Sequence, residues 1–98
     1  MPQPRLVDLI RGEVNAWDPY GLLGPDAAPD DPEYDPEVRS IAKGLQRVQA
    51  ARDMALLVSR VFTSSFGDPE RFSVAACTPI ASRLWTRVAA RHPMRRPG

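Results

Sequence analysis

The sequence predicts an all-α fold: a small bundle of four helices with one long ordered acidic loop between the first and second. Three observations predict it. Apolar residues recur at spacings of three and four in separate stretches, as amphipathic helices require. Aspartate, proline and glycine sit between those stretches, where helices start and stop. Residues 17–37 break the pattern, with five prolines, seven acids, both tyrosines and no basic residue. Most connections in compact domains run about 4–6 residues. A segment this long with this many aromatics is expected to be ordered.

The first helix is expected from Arg5 to about Ala16. Leu6, Ile10, Val14 and Trp17 form its apolar side, and Asp8, Arg11 and Asn15 its polar side. Gly12 weakens the helix by up to about 1 kcal/mol relative to alanine, which implies either close packing or tolerance. Asp18-Pro19 ends it. In the loop, Pro19, Pro25, Pro29 and Pro32 oppose any helix or ladder, and Gly21 and Gly24 suit turns. Leu22, Leu23 and Tyr34 are expected to plug the end of the bundle, with Trp17 buried between the first helix and the two leucines. Asp35-Pro36-Glu37 reads as a helix start, with Asp35 as N-cap and Pro36 at the first helical position.

The second helix is expected from Pro36 to about Gln49, carried by Val38, Ile41, Leu45 and Val48. The third carries Met54, Leu57, Val58, Val61, Phe62 and Phe66. At about 100° per residue the two stripes are out of phase by on the order of 150°, so one continuous rod would bury opposite faces. A break near Ala50–Asp53 resolves this, and Gly67 suits the C′ position of the third helix. Asp68-Pro69-Glu70 is expected to open a turn or two reaching Cys77. Thr78-Pro79 then starts a last helix to about Arg91, because proline in a helix interior kinks it. Residues 1–4 and 93–98 are expected as frayed tails of a single domain spanning 1–98.

Composition narrows the function. The formal net charge of +1 gives no global pull toward nucleic acid or membrane. A lone cysteine, Cys77, excludes an internal disulfide and fits a reducing cytoplasm. No apolar run is long enough to span a membrane, and the charged first helix does not read as a signal peptide. Arginine far exceeds lysine, which hints at a GC-rich bacterial genome.

Trp17-Asp18-Pro19-Tyr20-Gly21-Leu22-Leu23, then Ala28-Pro29-Asp30-Asp31-Pro32-Glu33-Tyr34-Asp35, and later Val61-Phe62 with Phe66-Gly67 resemble the signature of a small bacterial family of uncharacterised function. That family is typified by the protein called YugE, and its members carry W-D-P-x-G-L, A-P-x-D-E-[YF]-D and I-F-x-x-x-F-G. The resemblance spans about Leu6 to Leu84. The chain departs from it by inserting Pro32 between the acids and by carrying Pro79 in the last helix. The resemblance implies a compact helical fold and no known activity. Similar motifs occur among small immunity-type proteins that neutralise toxins.

Catalytic machinery is not expected. His92 reads as a solvated cap and Cys77 as a small buried filler. No nucleophile–base order, phosphate-cradling loop or metal-ligand spacing is present. Asp26, Asp30 and Glu37 match a calcium-loop register, but Ala28 and Asp31 stand where a ligand and the turn glycine belong. No metal and no cofactor are expected. Charge distribution says more than net charge: residues 38–98 hold eleven Arg/Lys against Asp53, Asp68 and Glu70. The expectation is a non-enzymatic protein that binds a basic protein partner through the acidic loop, using Tyr20, Asp26, Asp30, Asp31, Glu33 and Tyr34. Trp17, Asp18, Pro19, Gly21, Leu22 and Asp35 hold the loop's shape. The alternative is a nucleic-acid binder using Arg83, Arg87 and Arg91, which share one face of the last helix without a helix-turn-helix signature or stacking aromatics. An intramolecular use, with arginines folding over the acidic loop, is also open.

Overall fold

The computed structural model describes residues 5–91, with side chains through residue 90. Four α-helices carry the chain: α1 (Leu6–Trp17), α2 (Asp35–Gly44), α3 (Ala51–Phe66) and α4 (Val74–Arg91). No strand occurs among the described residues. Pairing is cyclic, with α1 against α2, α2 against α3, α3 against α4 and α4 back against α1. The α3–α4 contact is the most extensive. Apolar stripes explain the arrangement: Ile10 and Val14, Val38 and Ile41, Met54, Val58 and Phe62, and Ile80 and Leu84 all meet in one buried core.

The phase argument holds, and the break falls slightly earlier than expected. α2 stops at Gly44 and tightens into a 3₁₀ turn, Leu45–Arg47. Val48 and Ala50 are extended, and α3 begins at Ala51. Gly44 lies where α2 meets α3: a Cβ there would stand 2.6 Å from a methyl of Leu57. In the first turn of α3, Asp53 accepts a bond from the Gln49 N–H at 3.0 Å. At its end Gly67 adopts φ 68°, and its N–H reaches the Thr63 carbonyl, as a C′ glycine should.

The last helix corrects an expectation. It starts at Val74, not Pro79, and runs through the proline. Ser73, not Thr78, is the cap: its Oγ accepts from the Ala76 N–H at 3.1 Å. Thr78 lies inside the helix and donates its hydroxyl to the Val74 carbonyl. Pro79 is tolerated because it falls in the second turn and removes a single bond, the one to Ala75. Ala75 and Pro79 are both exposed, so water can take that carbonyl.

Candidate functional site

Asp18 organises the loop. It closes α1 in the left-handed conformation, φ 43°, a state aspartate tolerates better than most residues. Its N–H bonds the Val14 carbonyl, and its own carbonyl accepts from Gly21, which takes φ 63°. The carboxylate oxygen Oδ1 accepts the Tyr34 hydroxyl at 2.7 Å and the N–H groups of Leu22 and Leu23 at 2.9 and 3.4 Å. After this turn come two more, Gly24–Ala27 and Ala28–Asp31, each closed by a backbone bond. A 3₁₀ turn, Pro32–Tyr34, then leads into α2, capped by Asp31, whose carboxylate accepts from the Glu33 N–H at 3.0 Å. The loop is therefore a chain of tight turns.

Aromatic packing ties it to the core. Trp17 stands edge-on to Phe62 and Phe72, with centroids 5.1 and 6.0 Å away. Tyr20 packs on Phe66 and Phe72, and Tyr34 on Phe62 and Phe66. Aromatic pairs in these geometries add about 0.5–1.5 kcal/mol beyond their buried area. The Tyr20 hydroxyl donates to Asp68, and Arg71 lies over the Tyr20 ring while bonding the Pro19 carbonyl at 2.9 Å. Backbone and side-chain bonds from Arg71, with the Tyr20 hydroxyl, hold the Asp68 carboxyl below its ordinary range. Burial first, and then the Asp18 carboxylate, push the Tyr34 hydroxyl up to about 12.

Several assignments change. Tyr34 is fully buried, as its part in the plug requires, and so presents nothing to a partner. Tyr20 is half-buried and engaged the same way. Leu22 is 46% exposed, so of the two leucines only Leu23 packs against the core, and Trp17 is half-buried against Phe62 and Phe72, not buried. Asp35 does not cap α2. Its two oxygens accept from Nε and Nη2 of Arg11 at 2.7 and 3.1 Å, because α1 packs against α2 and brings the guanidinium to it. That pairing lowers the Asp35 pKa and raises that of Arg11. Asn15, placed on the polar side of α1, is buried and donates both amide hydrogens to the Pro29 and Asp31 carbonyls at 2.9 Å.

The arginine face pairs with α1 and stays exposed, and does not fold over the acidic loop. Arg83 and Arg87 each reach one oxygen of Glu13, at 3.3 and 2.8 Å. The side chain of Arg91 lies outside the described residues, as does His92. Among the expected contact residues, Asp26, Asp30 and Glu33 are exposed, and no ion pair among the described residues reaches them. Asp31 is half-exposed. Burial raises the Cys77 thiol to about 11. Among the described residues no group of three or more His, Cys, Asp or Glu side chains could hold a metal. None of the described helices is long and apolar enough to cross a membrane.

A family model matches residues 9–89, from the first helix to the last turn of the fourth, and so takes in the whole aromatic cluster and the loop. The chain belongs to DUF1871, a domain of unknown function. No curated protein and no solved structure shows significant similarity to it. Within this DUF1871 domain, Asn15, Asp68 and Arg71 hold the loop. Asp68 stood out in the sequence as a turn start, not as the acceptor of the Tyr20 hydroxyl, and Asn15 and Arg71 carried no local signal.

Proposed function

We propose that the protein is a non-enzymatic binding module that presents its acidic loop to a basic surface of a protein partner, as an immunity-like or regulatory protein does. One observation carries this reading. The loop is fixed from within by Asp18, Asn15, Tyr34 and Arg11, while Asp26, Asp30 and Glu33 remain exposed and unpaired among the described residues. A segment already ordered before binding loses little conformational freedom on association. Carboxylates placed on such a surface speed encounter with a basic partner and disfavour acidic ones. The YugE-like relationship, a bacterial source and a cytoplasmic location belong to the same proposal.

The test is charge reversal. Asp26, Asp30 and Glu33 changed together to Lys should abolish capture of the partner from the native host and leave melting almost unchanged. Capture by the parent should weaken as salt rises, since exposed charges are screened beyond about 8–10 Å at physiological ionic strength. Partner binding that survives the triple reversal refutes the acidic face. The rival nucleic-acid reading has Arg83 and Arg87 both committed to Glu13, which offsets one of their two charges. Changing both to Glu should therefore leave capture intact.

A further inference from the structure

A cleft of about 340 Å³ lies between α1 and the loop, walled by Gly12, Asn15 and Ala16 on one side and by the Leu23–Pro29 segment on the other. Three features distinguish it. Gly12 is a costly residue for a helix interior, yet a Cβ there would meet nothing within 4 Å. Packing does not require the glycine, and its effect is to keep the wall low. Asn15 is 7% exposed; its amide hydrogens hold the loop, while its Oδ1 has no hydrogen-bond partner. Native proteins rarely leave a buried acceptor unmatched. Asp18, also in the lining, receives all three of its side-chain bonds on Oδ1, leaving Oδ2 for another donor.

Asn15, in the last turn of α1, and Asp18, which closes the helix, both line the cleft. The lining holds no lysine, arginine or histidine. It offers acceptors and one negative charge, so its complement is a cationic donor. An ammonium carries three donors on a thin flexible stem and suits two single oxygens from different residues, whereas guanidinium suits a coplanar pair. Asn15 Oδ1 is screened from bulk solvent, so a donor that reaches it must displace part of the cleft wall.

The geometry points to this cleft as the seat of one lysine side chain of the basic protein partner. The inference rests on the acidic-loop reading and adds which residue is bound and where it enters.

Two blocked tripeptides test it, Gly-Lys-Gly and its norleucine isostere, titrated into the isotope-labelled full chain and followed by NMR. The lysine peptide should shift the Asn15 side-chain amide and the backbone amides of Gly12 and Gly24, and saturate. The norleucine peptide should not. Two variants plug the cleft without touching the Asn15 bonds: Ala28→Phe, at an exposed position, and Gly24→Leu, where a Cβ meets open space. Either should weaken the lysine peptide at least tenfold, and if one fails to fold the other decides. Shifts confined to Asp26, Asp30 and Glu33 and unchanged by the plugs overturn the seat while leaving the acidic face standing. No shift with the lysine peptide, or equal shifts with both peptides, also overturns it. The triple charge reversal, scored by partner capture, reports on the underlying reading independently.

Discussion

Replacing Asp18 with alanine removes the one side chain on which the loop's turns converge, and its cost can be worked from the contacts. The Tyr34 hydroxyl, on a fully buried residue, loses a charge-assisted bond of 2.7 Å. Bonds of that kind contribute about 1.5–3 kcal/mol. An alanine at φ 43° costs about 1 kcal/mol, since aspartate's local hydrogen bonding is lost in a left-handed position. The Leu22 and Leu23 N–H groups turn to water at small cost, because that side of the loop is partly open. Together these give about 2.5–4 kcal/mol, a large share of the 5–15 kcal/mol typical of a domain. At roughly 4–8 °C per kcal/mol for a chain this short, Tm should fall by at least about 10 °C. Calorimetry with a urea titration measures both quantities. Asp18→Asn, which keeps an acceptor and tolerates the same backbone, should lose less than half as much. If Asp18→Ala melts within about 3 °C of the parent, the carboxylate does not hold the loop.

Other perturbations separate roles elsewhere. Gly12→Ala should raise stability by about 0.5–1 kcal/mol, because helix propensity improves and the new methyl meets open space; a loss on denaturant titration would mean the glycine is packed. Pro79→Ala should also stabilise, by about 1–3 kcal/mol, by restoring the bond to Ala75, and a lower Tm would refute that account of the uninterrupted helix. Arg11→Met should cost about 1.5–3 kcal/mol by leaving the half-buried Asp35 carboxylate with only Arg39, 3.9 Å away. The same pair predicts a pH effect. The folded pKa of Asp35 lies below its unfolded value of about 3.9, so its contribution is full above that value and lost as pH falls through the folded one. Acid unfolding should accordingly shift in Arg11→Met, and identical profiles in parent and variant would sink the ion pair as a stabilising element.

Periodicity carried the helices well where burial alone decides position. Val38 and Ile41 against Met54, Val58 and Phe62 needed a break between them, and it lies within three residues of the expected place. Polar residues were less legible, because a pattern of apolar spacings cannot tell a side chain facing solvent from one facing a loop. Asp8, Arg11 and Asn15 share the polar side of α1, yet Arg11 reaches α2 and Asn15 straps the loop. Local signals misled where a tertiary partner was stronger. Asp35 had the chemistry of a cap, but the bidentate guanidinium of Arg11 takes both of its oxygens in place of the first-turn amides. Pro79 had the chemistry of a helix start, but Ser73 had already supplied one.

The tyrosines show why a motif and a binding surface need not coincide. Trp17, Tyr20, Tyr34, Phe62 and Phe66 come from separate signature stretches and meet in a single aromatic cluster with Phe72. Their spacing in the sequence is therefore explained by packing, without reference to any partner. The acids that remain free, Asp26, Asp30 and Glu33, make no such contacts, and packing alone does not account for their shared sign. A loop held this firmly could carry any polar residue at those three positions with little effect on stability, since exposed substitutions away from special features fall within about 0.5 kcal/mol. Folding thus constrains the inner residues and leaves the outer ones to whatever the loop meets. The same division separates stability assays from binding assays: inner variants should move both, and outer variants only the second.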